Sequence, residues 1–219
     1  MDNDETQEKQ ILSKLSTILV VVAFVLMVFN QFQLMGLNSE LGSTPTGLSI
    51  VSTSVIPTGT PKIYGKELGI SYDNVNPNDP QSADATIKAM SSLDRTLTLT
   101  GDDLSRYIKI VSEISCEYCC GAKSIIFDDG RPACGCAHSY AMRGLAKYLI
   151  LNHENEFSDD EILTELAKWK TLYFPGQMQA KADVMKSKGV EFSYINLGSN
   201  KYRNIEKGAT SSSGMVGGC

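Results

Sequence analysis

The sequence predicts a mainly α protein: an N-terminal transmembrane helix, a flexible stalk and a small helical extracytoplasmic domain built around a Cys-rich junction. Three observations carry that prediction. An apolar stretch over residues 11–36 has no charge after Lys14. Between residues 83 and 197, apolar residues recur at helical spacing behind capping signals. Five of the six cysteines fall between Cys116 and Cys136, where two helical segments meet. The composition agrees: 219 residues, 42% hydrophobic and 21% charged, suffice for one ordinary domain with extensions and exclude wholesale disorder. A net charge of −5 offers no basic face to phosphates, which excludes a general nucleic-acid binder.

Residues 1–10 are hydrophilic. Ile11–Phe29 supplies nineteen residues, enough to cross a hydrocarbon core of about 30 Å when Lys14 snorkels. Lys9 and Lys14 precede the run and the next basic residue is Lys62. The positive-inside rule therefore puts the N-terminus in the cytoplasm and the bulk of the chain outside, in the cell membrane's single-pass arrangement. No small-x-small cleavage site follows closely, which favours a signal-anchor over a cleaved signal peptide. Residues 37–61 are rich in Gly, Ser, Thr and Pro and nearly uncharged, the composition of a stalk. Residues 62–82 read as an irregular, turn-rich lead-in. Its run of Asp73, Asn74, Asn76, Asn78 and Asp79 lacks the spaced acidic ligands of a calcium loop and reads as a turn cluster.

The helical domain follows at 83–197. Ala83–Leu93 is a short helix with Ile87, Met90 and Leu93 on one side, and Arg95–Thr100 alternates as a short strand would. Thr100 to Asp103 matches a helix start, followed by Leu104, Tyr107, Ile108, Val111 and Ile114 at helical spacing. Cys136–Asn152 reads as a helix with Ala141, Leu145 and Leu149 inward. Ser158 to Glu161 is a stronger capping box; its helix carries Ile162, Leu163, Leu166, Trp169 and Tyr173 and ends at Pro175. Gln177–Lys188 is a further helix, and Val190, Phe192 and Tyr194 alternate as a second short strand. Residues 198–219, ending Gly-Gly-Cys, form a flexible tail.

The chemistry is concentrated in the cysteines. Cys116, Cys119 and Cys120 close one helix, and Cys134 and Cys136 open the next. The thirteen residues between them, 121–133, form a tight excursion whose length lets both groups meet at its base. Closely spaced thiolate pairs joined by a loop are the usual construction of a tetrahedral soft-metal site. The candidate ligands are Cys116, Cys119, Cys120, Cys134, Cys136 and His138, with Met142, which shares a face with His138, and the terminal Cys219 as accessories. Four ligands suffice for Zn, so the surplus also fits Cu(I) handling; Fe–S is less favoured. Met142 reads first as core, and His153 with Glu154 and Glu156 as a solvated helix exit. Arg143 and Lys147 read as surface residues. The tail could span up to about 70 Å, so Cys219 reaches the cluster, a partner protein or a second subunit.

Two other readings stay open. An oxidising exterior favours disulfides, with Cys116–Cys136 and Cys119–Cys134 as plausible pairs, leaving Cys120 packed or paired with Cys219. Such a domain would be a disulfide-stapled interaction module without chemistry. Reversible exchange at one exposed cysteine of low pKa would instead make a thiol–disulfide oxidoreductase, although no thioredoxin-like βαβ pattern surrounds Cys116-x-x-Cys119. No Ser-centred hydrolytic set is present, and no catalytic residue is assigned.

The segments ISCEYCCG, PACGCAHSYAMRGLAKYL and ELAKWKTLYFPGQM resemble a group of prokaryotic, largely archaeal, membrane-anchored Cys-rich proteins. Cys134-Gly135-Cys136-x-His138 also resembles the Cys-Gly-Cys segment of PCYCGC-motif lipoproteins, over about twenty residues. The lipobox cysteine of those proteins is missing here, and Pro132-Ala133-Cys134 departs from their Pro-Cys-Tyr-Cys. The resemblance implies membrane attachment and a Cys-rich core, and no particular activity.

Overall fold

Helices pack around one buried helix that carries the second cysteine group at its N-terminus. A computed structural model describes residues 54–209 and 214–217, which belong to the unit Thr53–Cys219. The anchor at 11–36, the stalk up to residue 53 and Cys219 lie outside the described residues. Among the described residues, no helix is long and apolar enough to cross a membrane.

The helices are α1 (Tyr64–Leu68), α2 (Asp84–Thr96), α3 (Gly101–Val111), α4 (Ala137–Asn152), α5 (Asp159–Tyr173), α6 (Pro175–Ser187) and α7 (Tyr194–Gly198), with 3-10 turns at Tyr72–Asn74 and Asn200–Tyr202. The mainly α reading is thus shown for the described residues. Helix α4 is buried nearly all round, with Ala141, Met142, Leu145, Ala146 and Leu149 fully inaccessible. It packs on α2, α3 and α5, while α5 also carries α7. The α2–α4 approach is closest at Gly144, where an added Cβ would lie 2.0 Å from the Met90 carbonyl oxygen; only glycine fits there.

Local signals act where they were expected. Ser158 Oγ accepts from the Glu161 N–H at 3.3 Å, and Glu161 Oε2 accepts from the Ser158 N–H at 2.7 Å, which closes both halves of the capping box. Pro175 both stops α5 and starts α6 at its first position, where a missing N–H costs nothing. Thr100 has the extended backbone of an N-cap but makes no side-chain cap bond.

Several expectations are corrected. Neither strand forms: Arg95 and Thr96 complete α2, Tyr194 begins α7, and only the isolated bridges Ile114–Ser199 and Ile126–Pro132 occur among the described residues. A lone two-stranded pairing without a partner sheet is marginal, so helix continuation wins. The end of the stalk is packed. Val55 is buried, and its carbonyl accepts from the Tyr194 hydroxyl at 3.1 Å. The lead-in contains α1 and contributes Tyr64, Ile70, Tyr72 and Val75 to the core. The tail returns to the core at residue 216: the Val216 N–H donates to the Tyr173 carbonyl at 2.8 Å, and the Gly217 N–H to the Pro80 carbonyl at 2.6 Å. His153 is buried, with Nε2 2.8 Å from Glu67 and Nδ1 against Glu156.

Candidate metal and thiol centre

After α3 the chain turns at Cys116, whose carbonyl accepts from both the Cys119 and Cys120 N–H groups at 3.3 Å. This turn keeps the Cys119 sulfur with that of Cys116 and leaves Cys120 at the exposed surface. The turn is pinned from outside. Arg203 donates to the Gly121 and Ala122 carbonyls at 2.8 Å each, and Asn200 Nδ2 donates to the Ser112 and Lys123 carbonyls at 3.0 Å each. The excursion folds as a small hairpin, with the Phe127 N–H bonded to the Arg131 carbonyl at 2.8 Å. It returns at Cys134, held by Arg143, which is fully buried. Arg143 Nη1 donates to the Cys134 carbonyl at 2.9 Å, and its Nε to Asp94 at 2.9 Å. Lys147 joins the same carboxylate at 2.8 Å. Instead of facing solvent, Arg143 therefore ties the loop to α2, and Lys147 braces the Asp94 carboxylate that holds it.

At the base of the hairpin the cysteines meet. Cys116 and Cys136 are buried free thiols with their sulfurs 3.3 Å apart. Cys120 and Cys134 form a disulfide, and Cys119 is likewise disulfide-bonded. Both disulfide pairs considered from the sequence are thereby replaced: Cys116–Cys136 is a thiol pair, and Cys134 takes Cys120 in place of Cys119. The sulfurs of Cys116, Cys119 and Cys136 nonetheless all lie within 4.8 Å of one another, the spacing of a group able to hold one metal ion.

Cys136 is the N-cap of α4, and its sulfur accepts from the Ser139 N–H at 3.4 Å, with the Ser139 hydroxyl 3.2 Å away. The Cys116 sulfur lies 3.3 Å from it, and either thiol can donate to the other. That contact, outweighing burial, holds the Cys136 thiol well below its ordinary value, with His138 and then Ser139 adding to the effect. Cys116 moves the other way, because the same contact and burial both disfavour its charge. The shared contact thus pushes the two thiols in opposite directions.

His138 is buried, stacked 4.6 Å from Tyr173 and 5.1 Å from Phe174. Its Nε2 lies 2.8 Å from the Val216 carbonyl, which can only accept. Nε2 therefore carries the proton, and Nδ1 offers a lone pair with no hydrogen-bond partner among the described residues. Ser115 Oγ and the Tyr173 hydroxyl are also buried without hydrogen-bond partners among the described residues. Met142 is core.

Beneath Cys116 lies a floor that the sequence reading did not assign. Lys170, fully buried, donates to Glu117 at 2.9 Å and to the Gly198 carbonyl at 2.8 Å; Lys181 stands 3.4 Å from the same Glu117 oxygen and Arg203 3.8 Å from its other oxygen. Burial lowers Lys170 to about 8 despite Glu117. Three cations against one carboxylate leave this floor positive, which suits thiolates above it. The signal was present in the sequence: Lys170 sits inside the apolar stripe of α5 beside Trp169.

Compared with known proteins, the chain matches no family model, no curated protein and no solved structure.

Proposed function

We propose that this chain binds a soft metal ion, Zn(II) or Cu(I), through Cys116, Cys119 and Cys136, with His138 as the nitrogen donor on the Cys136 side. The observation that carries the reading is the buried three-sulfur group, whose sulfurs lie within 4.8 Å of one another. Two features support it. His138 Nδ1 is buried with no hydrogen-bond partner among the described residues, an arrangement that a ligand would satisfy. The positive floor of Lys170 and Lys181 offsets the negative charge of a thiolate set. Cys119 is oxidised in this structure, so the set is complete in the reduced chain. We read the site as structural or cargo-handling, without catalysis. The apolar run 11–36 would anchor the chain in the cell membrane with this centre outside the cytoplasm.

The test is direct. The full-length chain, reduced in detergent micelles, is titrated with Zn(II) and with Cu(I) against a chromophoric chelator. One ion per chain is expected, and Cys136→Ser should weaken binding by more than the 10–100-fold typical of an outer-shell partner. A reduced chain that stays metal-free at saturating ion, or that binds equally well as Cys136→Ser, defeats the proposal. The anchoring is checked by protease added outside intact cells, which should remove the domain and leave the first residues protected.

A further inference from the structure

The Cys120–Cys134 disulfide is asymmetric. Cys120 is solvent-exposed, whereas Cys134 is 4% exposed and its carbonyl is clamped by Arg143. Disulfide exchange requires a thiolate to approach one sulfur in line with the bond, so accessibility decides which sulfur is attacked. Here Cys134 is the covered half-cystine and Cys120 the exposed one, its sulfur part-buried 3.7 Å from the Cys116 carbonyl. The backbone around it favours access as well: Gly121 follows in a left-handed conformation with φ of 67° and open space where a Cβ would be, and an open groove lined by Ala122, Ser124, Phe127 and Ala133 runs along the segments next to both half-cystines. Exposed disulfides are the labile, exchangeable ones. This one faces out, at the edge of a centre that holds two free thiols.

We propose that Cys120–Cys134 is a thiol-exchange site at which an external dithiol is oxidised and Cys120 and Cys134 are released as thiols beside the cysteine centre. The first thiolate of the dithiol attacks Cys120 Sγ. A mixed disulfide forms there, the Cys120–Cys134 bond breaks, and its electron pair leaves on Cys134, which takes up a proton. The second thiol of the dithiol then loses its proton and attacks its partner sulfur in the mixed disulfide. That step forms the dithiol's own disulfide and expels Cys120, which is protonated in turn. Two electrons and two protons pass from the dithiol to the protein, and no other oxidant or reductant enters. The exchange stands without a metal. Its consequence, that Cys134, two residues from Cys136, becomes an added soft donor, rests on the metal reading.

The full-length oxidised chain in detergent is exposed to a limited excess of dithiothreitol, quenched with iodoacetamide at increasing times and mapped by peptide mass. Cys120 and Cys134 should become labelled together, at least about tenfold faster than Cys119. A parallel incubation with glutathione should trap the mixed disulfide on Cys120. Reduction that begins at Cys119, a glutathione adduct on Cys134, or a Cys120–Cys134 bond that opens only after denaturant is added overturns the proposal. Each of these results is read on the wild-type chain, so no variant has to fold. Zn(II) binding measured on the same reduced samples separates the two readings. Exchange without binding removes the metal and upholds the exchange; binding with an inert Cys120–Cys134 bond removes the exchange and upholds the metal.

Discussion

Helix α5 carries two buried polar knots that differ in one respect. On one, Glu165 accepts from the Tyr64 hydroxyl at 2.6 Å, from the Tyr72 hydroxyl and from Lys168 at 2.6 Å, while Trp169 Nε1 donates to the Tyr64 oxygen at 2.8 Å. Every polar side-chain atom of that knot has a partner. On the other, around Cys116, Cys136 and His138, the Ser115 hydroxyl, His138 Nδ1 and the Tyr173 hydroxyl have none among the described residues. Buried polar groups are normally satisfied, because leaving one bare costs on the order of 1–3 kcal/mol. The tyrosine knot therefore reads as stability, and the cysteine centre keeps unsatisfied groups that the proposed metal site would use. The comparison yields predictions that separate the two.

The largest effect belongs to the tyrosine knot. Glu165→Leu strips the acceptor from two buried hydroxyls and should destabilise the domain by about 3 kcal/mol in denaturant unfolding. Metal affinity of the folded variant should be unchanged. An equal loss of metal binding would show that the two knots are one network.

Next comes the floor under Cys116. Glu117→Gln leaves Lys170 and Lys181 buried without their carboxylate, at a cost of about 2–3 kcal/mol. The two outcomes of interest here point in opposite directions. Stability falls, while a thiolate set above the floor meets a more positive field, so metal release on acidification should shift to lower pH. A shift to higher pH would show that Lys170, without Glu117 to support its charge, gives up its proton and takes the positive field with it.

What the sequence disclosed about these regions follows the range of the interactions. The Ser158–Glu161 box, the stop at Pro175 and the inward face of α4 depend on residues within a turn or two, and all were legible. The meeting of the cysteines was legible too, because a thirteen-residue excursion constrains where its ends lie. Their pairing was not, since connectivity is decided by how a turn disposes its sulfurs: the two hydrogen bonds to the Cys116 carbonyl shape a turn that leaves Cys120 exposed, and it pairs there with the buried Cys134. Val55, Tyr64 and Tyr72 were hidden for a different reason. Their segment has the composition of a linker, and only the distant partners Tyr194 and Glu165 make it part of the core. His153 was misread in the same way, because Glu67 reaches it across 86 residues of chain.

His153 links the tyrosine side to pH. Burial lowers its affinity for protons, and the hydrogen bonds to Glu156 and Glu67 outweigh burial and raise it above the ordinary value near 6.5. A raised histidine stabilises the fold fully below about 6.5, and the contribution is lost as pH rises through the folded value. Because Glu67 and Glu156 are about half exposed, less than about 1 kcal/mol is expected. Chemical denaturation at several pH values should show wild-type stability declining above neutrality and His153→Gln with a flatter profile. An unchanged slope would assign that pH dependence elsewhere.

The smallest expected change in stability is the most discriminating. Tyr173 is fully buried on α5, its hydroxyl lacks a hydrogen-bond partner among the described residues, and burial followed by the nearby Cys116 and Cys136 keeps the phenol protonated well above its usual range. Tyr173→Phe removes only that oxygen, and since no hydrogen bond is lost the stability of the metal-free chain should move by less than about 0.5 kcal/mol or rise. If the centre binds a metal, a protonated phenol among the ligand sulfurs is a donor waiting for charge, and its removal should weaken binding by about tenfold, the lower end for an outer-shell partner. Unfolding and metal titration on one preparation give both numbers. A loss of 1–2 kcal/mol with metal affinity intact would mean that the hydroxyl is already satisfied and that the contrast with the tyrosine knot does not hold at this residue.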